Sequence, residues 1–384
     1  MKITQITSGR FHHFHLARQL EIHELLDKIY TGYPKFKLKD ETGIPISKIK
    51  TFPWLHAPFM KRGMLKLDNI EWLNKKWAWL DHELLDTYVA SNIQNATILI
   101  ALSGSGLKSG KKVQRLGGKY ICDRGSSHIR FQDKILTEEY DRWGLKFKRV
   151  DKKMIEKEEE EYSQSNFITV PSDFVKESFI NQGVSVDKII KIPYGARLDR
   201  FNKIGNPALG KFRVLWVGGV TIRKGFLYAL AAFKNLNYEH KEFIVIGSIS
   251  DEIKSFLNYD NTKQVKFLGV IPNQKLIEYY SSSHVFVLPS IEEGLAMVQG
   301  EALACGCPII ATPNSGSNDL FTNGKEGFII PIRSADALTD KLQFLVDNPD
   351  IREKMSEAAL LRVKELGGWD TYGLQMCKFL KGLL

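Results

Sequence analysis

Cysteine is scarce in this chain, and long apolar runs are missing. The four cysteines in 384 residues form neither a CxxC pair nor the framework of a disulfide-rich fold. No apolar run approaches the roughly 18 residues of a membrane-spanning helix, and the longest, Ala96–Leu102, has the length of a strand. The N-terminus turns polar after a few residues, unlike a signal peptide. We therefore expect a cytoplasmic protein with reduced thiols.

Motifs of two other protein classes are absent from the sequence. The segment after the first predicted strand reads SGRF and lacks the GxGxxG turn that a Rossmann dehydrogenase needs. Zinc-finger spacing, an RNP-like aromatic strand motif and a basic leucine-zipper pattern are missing as well, so nucleic acid is not an expected partner.

The chain carries a net charge of +10, and the excess lies in its first half. Residues 1–200 contain 34 Lys and Arg against 25 Asp and Glu. Such a bias attracts phosphates or an anionic membrane surface. The alternative is a solvated basic surface that binds nothing.

The segment Thr51–Leu80 interleaves aromatic and basic residues. Apolar anchors beside cations suit a bilayer interface or a lipid-linked ligand. The alternative is a helix whose aromatic side faces the core while its lysines face water. The residues concerned are Trp54, Phe59, Trp72, Trp77 and Trp79, with Lys61, Arg62, Lys66, Lys75 and Lys76.

Short β-rich runs alternate with helical patterns along most of the chain. Strands separated by helices predict parallel sheets covered on both faces, and the Asn-, Gly- and Pro-rich loop Asn202–Lys211 divides two such runs. We predict an α/β protein of two Rossmann-like doubly wound domains, residues 1–202 and 203–366, facing a central cleft. Residues 367–384 form a last helix that crosses back to the first domain. Predicted early elements are strands Lys2–Thr7, Ala96–Ser103, Lys119–Asp123, Asn166–Ser172 and Lys188–Gly195, and helices over Phe11–Tyr30 and from Asp173.

The most informative stretch is Pro289–Thr312, PSIEEGLAMVQGEALACGCPIIAT. A strand ends at Pro289, and Glu293 follows at its carboxyl end, where ligands bind in open α/β sheets. Gly294 allows close backbone approach, and a helix begins near Ala296 with its positive dipole end toward the cleft. Glu301 follows Glu293 after seven residues, on that helix.

A second stretch, Val217–Phe226, joins a strand to a helix through a Gly-rich turn. Arg223 and Lys224 open the helix, where cations are well placed to hold phosphates. The turn Gly269–Pro272 follows another strand and offers backbone groups to a base edge.

These stretches resemble the retaining family-4 glycosyltransferases of the GT-B fold. The resemblance covers the chain from about Asn166 onward, and the stretch EEGLAMVQGEALACGCPIIAT carries its most specific pattern. It implies that Glu301 holds the ribose of a UDP- or GDP-linked sugar, that Glu293 contacts the sugar, and that Lys224 stabilises the departing diphosphate. The backbone of Leu295, Ala296, Met297 and Val298 would bind sugar hydroxyls and phosphates, while Val270 and Ile271 would flank the base.

The chain departs from the family pattern at several places. Gly218–Gly219 stands where the family often has Gly-Arg, so we assign the missing phosphate cation to Arg223. SGRF, with Gly9, replaces the N-terminal Gly-Gly loop, and Arg197 stands where Asp is common after the inter-domain Tyr-Gly. The first-domain histidine is displaced in KYICDRGSSHI. We take Asp123, Arg124 and His128 from that run as site candidates, against a local salt bridge for the first two and a capping role for His128.

Three histidines near the N-terminus, His12, His13 and His15, raise the question of a metal. Neighbouring helix positions point apart, so we predict no metal ligands. An acceptor-side position for one of the three is considered as an alternative to a structural role. No Asp-x-Asp occurs in the chain to hold a metal against a diphosphate. The cations and the helix N-terminus can take that role.

The sequence therefore predicts a metal-independent, retaining glycosyltransferase without a cofactor other than its nucleotide-sugar co-substrate. The acceptor would be a glycan or a lipid-linked molecule in surface polysaccharide assembly, at the inner face of a membrane. The alternatives are a nucleotide-sugar epimerase or phosphorylase of the same architecture, or a non-catalytic polyanion-binding protein.

Overall fold

The first half of the chain forms a parallel sheet. The computed structural model describes residues 1–383 except 66, 68, 69, 196–199 and 208. The strands pair in the order β3-β2-β1-β4-β5-β6-β7, all parallel. They are β1 (Ile3–Thr7), β2 (Leu26–Thr31), β3 (Ile49–Thr51), β4 (Ile98–Leu102), β5 (Lys119–Asp123), β6 (Phe167–Val170) and β7 (Ile189–Lys191). Central strands such as β4 are apolar throughout because helices cover both faces.

Seven α-helices connect these strands within the described residues. They are α1 (His12–Ile22), α2 (His56–Met60), α3 (Glu71–Asn92), α4 (Leu107–Arg115), α5 (Ile129–Arg142), α6 (Lys152–Gln164) and α7 (Asp173–Ile180). Helix α7 begins where the sequence predicts, since the Ser172 hydroxyl accepts a hydrogen bond from the Val175 N–H.

The predicted single helix over Phe11–Tyr30 is wrong in its second half. Helix α1 ends at Ile22, and Glu24 adopts a left-handed conformation, with φ of 58°, before β2 begins at Leu26. The strands β2 and β3 were not predicted. In β2 the apolar residues Ile29 and Tyr30 are adjacent. So short an apolar run has no clear periodicity and fits the end of a helix as well as a strand.

The second sheet is also parallel, in the order β10-β9-β8-β11-β12-β13. Its strands are β8 (Phe212–Val217), β9 (Lys241–Ile246), β10 (Val265–Gly269), β11 (Val285–Leu288), β12 (Ile309–Ala311) and β13 (Gly327–Ile329). The helices are α8 (Phe226–Asn235), α9 (Asp251–Lys254), α10 (Tyr259–Thr262), α11 (Leu276–Ser281), α12 (Met297–Ala304), α13 (Ser317–Leu320), α14 (Ala335–Asp347), α15 (Pro349–Leu366) and α16 (Trp369–Lys381). Two Rossmann-like domains are therefore confirmed. Over the described residues, no helix combines the length and apolar character needed to cross a bilayer.

The last helix, α16, packs on α1 of the first domain. The Gln19 amide donates to Asp370 at 2.7 Å, and the rings of Phe167 and Phe379 meet edge to face. Loops at the carboxyl edges of the two sheets are also in contact. There the Ser172 hydroxyl donates to the Gly294 carbonyl at 2.7 Å, and the Gly125 carbonyl lies against the Cα of Gly294. This junction places the turns that follow β5 and β11 against each other.

Candidate functional site

Lys224 and Glu293 form an ion pair at the carboxyl edge of the second sheet. The Lys224 ammonium lies 2.6 Å from Glu293 Oε1, and the Ser290 hydroxyl donates to the other carboxylate oxygen at 3.1 Å. Gly225 then opens α8 with a φ of 73°, and a Cβ there would lie 2.0 Å from the Pro289 carbonyl oxygen. Only glycine fits between the two turns, and it fixes Lys224 beside the loop that carries Glu293.

The helix α12 begins directly after this loop without a capping side chain. Ala296 gives its own N–H to the Ser315 carbonyl, and Leu295 and Ala296 are buried while Met297 is exposed. The first-turn N–H groups of a helix have no partner within it. The predicted backbone segment Leu295–Val298 therefore offers donors next to Glu293.

Glu301 lies deeper on α12 and is buried. It accepts a hydrogen bond from the Tyr280 hydroxyl at 3.1 Å. Burial, together with the carboxylate of Glu301, raises the pKa of Tyr280 well above its usual value, so the hydroxyl stays protonated and donates. This contact fixes the carboxylate of Glu301 between α12 and α11.

The glycine turn after β8 lies beside Lys224. A Cβ on Gly218, whose φ is 134°, would come within 3.3 Å of the Lys224 ammonium nitrogen, whereas a Cβ on Gly219 would make only an ordinary contact with Thr221, at 3.6 Å. Of the two predicted base-flanking residues, Val270 is 79% exposed and Ile271 packs partly against the second-domain core. The second domain thus gathers most of its predicted site residues along one edge.

Arg223 is bound to Glu292, a residue that the sequence analysis did not single out. Its guanidinium lies 2.7 Å from Glu292 Oε2 and donates to the Glu292 carbonyl at 2.9 Å. Ser127, through its N–H and hydroxyl, and Gln132 bind the same carboxylate from the first domain. Burial alone would raise the pKa of Glu292, but Arg223 and these hydrogen bonds lower it. The only sequence signal for Glu292 was the pair of adjacent acidic residues before Gly294. Its carboxylate binds groups of the first domain and also holds the guanidinium of Arg223 in an ion pair.

Asp123 ends β5 at the carboxyl edge of the first sheet, and Arg124 follows it directly. Asp123 accepts from the Thr169 hydroxyl at 2.6 Å and lies 2.5 Å from the Nε2 atom of His12. Arg124 forms an ion pair with Glu158 at 2.7 Å and also binds Gln132, so its guanidinium is committed within the first domain. This matches the local salt bridge that we weighed for Arg124.

His128 caps a helix in the structure. Its Nδ1 atom accepts from the Arg130 N–H at 3.2 Å, its own N–H donates to the Ser178 hydroxyl, and its ring packs on Tyr162 and Phe179. Burial lowers the pKa of His128 to about 4. It borders a cavity of about 340 Å³ shared with Glu159 and Lys188. These contacts are those of the capping alternative.

Two further predicted positions complete the first domain. Gly9 is buried in the loop between β1 and α1, and its carbonyl accepts from the Thr7 hydroxyl at 3.0 Å. Arg197 lies outside the described residues, as does Lys66 of the aromatic and basic segment.

That segment is divided between surface and interior. Trp54 is 76%, Met64 82% and Trp72 68% exposed, and Met60 is also exposed. Trp77 is partly buried and donates from its indole to the Leu55 carbonyl. The alternative of a wholly core-facing aromatic side is therefore wrong for Trp54 and Trp72. We name the exposed Trp54, Met60, Met64 and Trp72, with Lys61, Arg62, Lys75 and Lys76, the aromatic-basic face.

Comparison with known proteins finds that the second domain is similar to one family. Residues 199–362 match the family described as glycosyl transferases group 1. The capsular polysaccharide biosynthesis glycosyltransferase CapM of Staphylococcus aureus is 29% identical over 43% of this chain and 44% of its own length. The amylovoran biosynthesis glycosyltransferase AmsK of Erwinia amylovora is 25% identical over 46% of each chain. The chain thus spans less than half the length of the first curated relatives it matches.

One relative aligns over nearly the whole chain. An uncharacterized glycosyltransferase of Methanocaldococcus jannaschii is 23% identical over 91% of this chain and 87% of its own. Among solved structures, sucrose-phosphate synthase from Thermosynechococcus elongatus has a TM-score of 0.72 at 18% identity, covering 100% of this chain and 99% of that one. HepE from Anabaena, in complex with UDP, has a TM-score of 0.72 at 13% identity and covers 100% of both chains. At these identities the structures establish the GT-B fold.

Proposed function

We propose that this chain moves a sugar from a nucleotide-diphosphate sugar to a hydroxyl of a glycan or lipid-linked acceptor, because residues 199–362 match the group 1 glycosyltransferases. Transfer retains the anomeric configuration and needs no metal. The observation that carries the proposal is the cluster of Lys224, Glu293 and the free N-terminus of α12, with Glu301 behind it.

The physical task at this cluster is to neutralise a leaving group. Breaking the bond between the sugar and the diphosphate leaves negative charge on the departing phosphate. In the proposed complex, the Lys224 ammonium exchanges Glu293 for that phosphate, and the α12 backbone donors bind its oxygens. Arg223 contributes only after it separates from Glu292, so Lys224 carries the larger share.

Residues along the same carboxyl edge of the second sheet bind the other parts of the donor. Glu301, held by Tyr280, binds the ribose hydroxyls, and Glu293 turns to the sugar once Lys224 leaves it. The exposed Val270 covers one face of the base. We propose a UDP- or GDP-linked donor and no cofactor beyond it.

We also propose that the enzyme acts in surface polysaccharide assembly, at the cytoplasmic side of a membrane. The printed functions of CapM and AmsK support the assembly role. The aromatic-basic face supports the membrane, because exposed tryptophans and methionines beside cations suit an anionic bilayer surface.

A donor screen tests the proposed activity. The protein is incubated with UDP- and GDP-sugars, octyl glycosides as probe acceptors and EDTA, and nucleotide release is followed. We expect release from one donor that survives the chelator and gives a product with the donor's anomeric configuration. Release that requires Mg²⁺, or an inverted product, would contradict the corresponding part of the proposal.

Vesicle co-sedimentation tests the membrane role. The fourfold change of Lys61, Arg62, Lys75 and Lys76 to Glu should abolish binding to vesicles containing phosphatidylglycerol. The control makes the same charge change on the second domain, at Lys263, Lys325, Lys354 and Lys364. Equal loss of binding in both variants would show net charge rather than the aromatic-basic face to be responsible.

A further inference from the structure

The loop Ser8–Phe11 follows β1 at the carboxyl edge of the first sheet, close to the proposed sugar site. The next residue, His12, begins α1. A Cβ added to Gly125 would lie 3.6 Å from the His12 ring, and one added to Gly294 would lie 1.6 Å from the Gly125 carbonyl oxygen. Gly294 directly follows Glu293 in the sequence. The loop after β1 is therefore separated from the loop that carries Glu293 only by the turn at Gly125.

The loop after β1 also adjoins the segment that carries the aromatic-basic face. Gly32, directly after β2, lies between them, because a Cβ there would be 2.7 Å from the Ser8 carbonyl oxygen and 2.9 Å from the Cβ of His56. His56 is the first residue of α2, which ends at the exposed Met60. In the sheet, β1 lies between β3, which precedes that face, and β5, which precedes Gly125. The loop after β1 therefore lies between the aromatic-basic face and the sugar site.

The loops after the neighbouring strands β1, β2 and β3 share one chemical pattern. Each exposes a large apolar side chain next to a cation, and the strand order β3-β2-β1 places the three loops side by side. Apolar anchors beside cations suit the interface of an anionic bilayer. The pattern thus extends from the aromatic-basic face toward the sugar site. Its members are Phe11 beside Arg10, Phe36 between Lys35 and Lys37, and Met60 beside Lys61.

Arg10 is the cation of the loop after β1, and its side chain can exchange its partner. Its guanidinium donates twice to Glu41 Oε2, at 3.1 and 2.7 Å, and the side chain is 39% exposed. Arg18 of α1 binds the other oxygen of the same carboxylate, which is almost completely buried. Two arginines on one carboxylate leave a net charge of +1. Since Arg18 keeps Glu41 paired, Arg10 can turn to another anion without leaving a buried charge alone.

We propose that the acceptor is a membrane lipid whose sugar is linked to the lipid through a phosphate or diphosphate, and that Arg10 binds this linkage. When such a lipid lies in a bilayer at the aromatic-basic face, the linkage is its first polar group on the way to the sugar site. An arginine can donate two parallel N–H groups to a phosphate. The sugar beyond the linkage then presents its hydroxyl to the donor. This inference rests on the proposed function and names its acceptor.

Three probe acceptors test the proposal, with UDP- and GDP-sugars as donors. The first is a hexose linked to farnesyl diphosphate, the second is the farnesyl glycoside of the same hexose, which lacks phosphate, and the third is the hexose 1-phosphate, which lacks the lipid. The hexose is glucose, galactose or N-acetylglucosamine. Both lipids are presented in vesicles containing phosphatidylglycerol, so they meet the same surface charge. We expect the KM for the diphosphate lipid to be at least about tenfold below the KM for either other acceptor.

Arg10→Ala should weaken the use of the diphosphate lipid alone. We expect its KM for this acceptor to rise about 10- to 100-fold, and its KM for the farnesyl glycoside to change less than about twofold. Donor affinity, measured by calorimetry, should also change less than about twofold, because the proposed donor site is on the other domain. Arg115→Ala is the matched control. It removes the same charge at the exposed end of α4, at the opposite edge of the same sheet, and should keep wild-type KM values.

Glu41→Gln separates phosphate binding from a structural role of the pair. This variant frees Arg10 from its carboxylate while it keeps the size of the side chain, so the KM for the diphosphate lipid should stay the same or fall. A KM that rises in both Arg10→Ala and Glu41→Gln would show that the pair only holds the loop, and would overturn the proposal.

The other outcomes also decide. Equal KM values for the diphosphate lipid and the farnesyl glycoside would overturn the phosphate contact, and equal values for the diphosphate lipid and the hexose 1-phosphate would overturn the lipid acceptor. Donor turnover without transfer to any diphosphate lipid would overturn this inference and leave the glycosyltransferase in place. If wild type neither binds nor turns over any nucleotide sugar, the proposed function and this inference fail together.

Discussion

At the scale of single residues, ion pairs hold the site's cations before any donor binds. Lys224 is bound to Glu293, and Arg223 to Glu292. The two pairs differ in their surroundings, because Glu292 is completely buried and tied to the first domain while Glu293 keeps some exposure. A phosphate therefore displaces the Glu293 carboxylate more readily, which makes Lys224 the cation to test.

Replacement of Lys224 by alanine should remove one phosphate contact that strengthens as the leaving group charges. We expect a loss of about 2–4 kcal/mol of transition-state stabilisation, or roughly 30- to 1000-fold in kcat. Lys234→Ala, at the exposed end of the same helix, is the control and should retain wild-type kcat. A Lys224→Ala enzyme with unchanged kcat and a raised KM would assign the lysine to ground-state binding alone.

Buried histidines should make the protein acid-labile. Burial lowers the pKa of His13 to about 3 and of His128 and His284 to about 4. The unfolded chain binds protons near pH 6.5 and the folded chain does not, so stability is full above that pH and falls below it. The loss is up to about 1.4 kcal/mol per pH unit for each histidine.

His128→Asn isolates one of these contributions. Asparagine is a favoured N-cap and keeps an acceptor for the Arg130 N–H. Urea unfolding midpoints at pH 7.5 and 5.0 should therefore lie closer together in this variant than in wild type. His23→Asn, at a partly exposed site, should keep the wild-type difference. An unchanged difference in His128→Asn would show that the ring already titrates normally in the folded protein.

Sequence reasoning proposed side chains that follow the end of a single strand. Glu293, Glu301 and Lys224 each follow a strand within one β-α unit, and their spacing is local. Glu292 and the pair of His12 with Asp123 depend on contacts between segments more than 100 residues apart. The argument that neighbouring helix positions diverge also missed that His12 and His13 both reach Asp123. The local pattern of the sequence gives no information about contacts between segments so far apart along the chain.

At the scale of elements, the alternation of strands and helices was readable wherever a strand is largely apolar. Strand β4 is apolar along its whole length, and β8 carries one charged residue, Arg213, in an otherwise buried apolar run, so both were recognised as strands. Strand β2, LDKIYT, is amphipathic and follows α1 after a turn of three residues. The left-handed Glu24 that ends the helix is not a glycine, and so the usual stop signal was missing.

A substitution in the turn before α8 tests how strictly the start of that helix positions the proposed site. In Gly225→Ala, a Cβ would lie 2.0 Å from the Pro289 carbonyl oxygen at a φ of 73°, so the backbone between β11 and α8 must move. Gly210→Ala is the matched control, since its φ is 71° with nothing within 4 Å. We expect about 1–2 kcal/mol of strain in the control and a clearly larger fall in the thermal midpoint of Gly225→Ala, with lost donor binding. Equal thermal midpoints in the two variants would show that the backbone at Pro289 can move without a loss of stability.

At the scale of the whole molecule, the proposed transfer requires the carboxyl edges of the two domains to meet. The donor cluster belongs to the second domain and the loop Ser8–Phe11 to the first, and the domains are joined by contacts at Gly294 and Glu292. Helix α16 links the domains a second time through α1. We therefore expect these contacts between the domains to affect the transfer to the acceptor more than the binding of the donor.

Gly294→Ala separates these two functions. A Cβ at Gly294 would lie 1.6 Å from the Gly125 carbonyl oxygen, and its φ is not left-handed, so the added methyl acts by contact with the other domain. We expect small-angle scattering to show a larger radius of gyration and transfer to fall at least about 10²-fold, because a shift of about 1 Å between reacting groups costs that much. Gly205→Ala, with open space around it, should change neither quantity. A Gly294→Ala protein as compact and as active as wild type would mean that the two edges do not have to meet as closely as they do here.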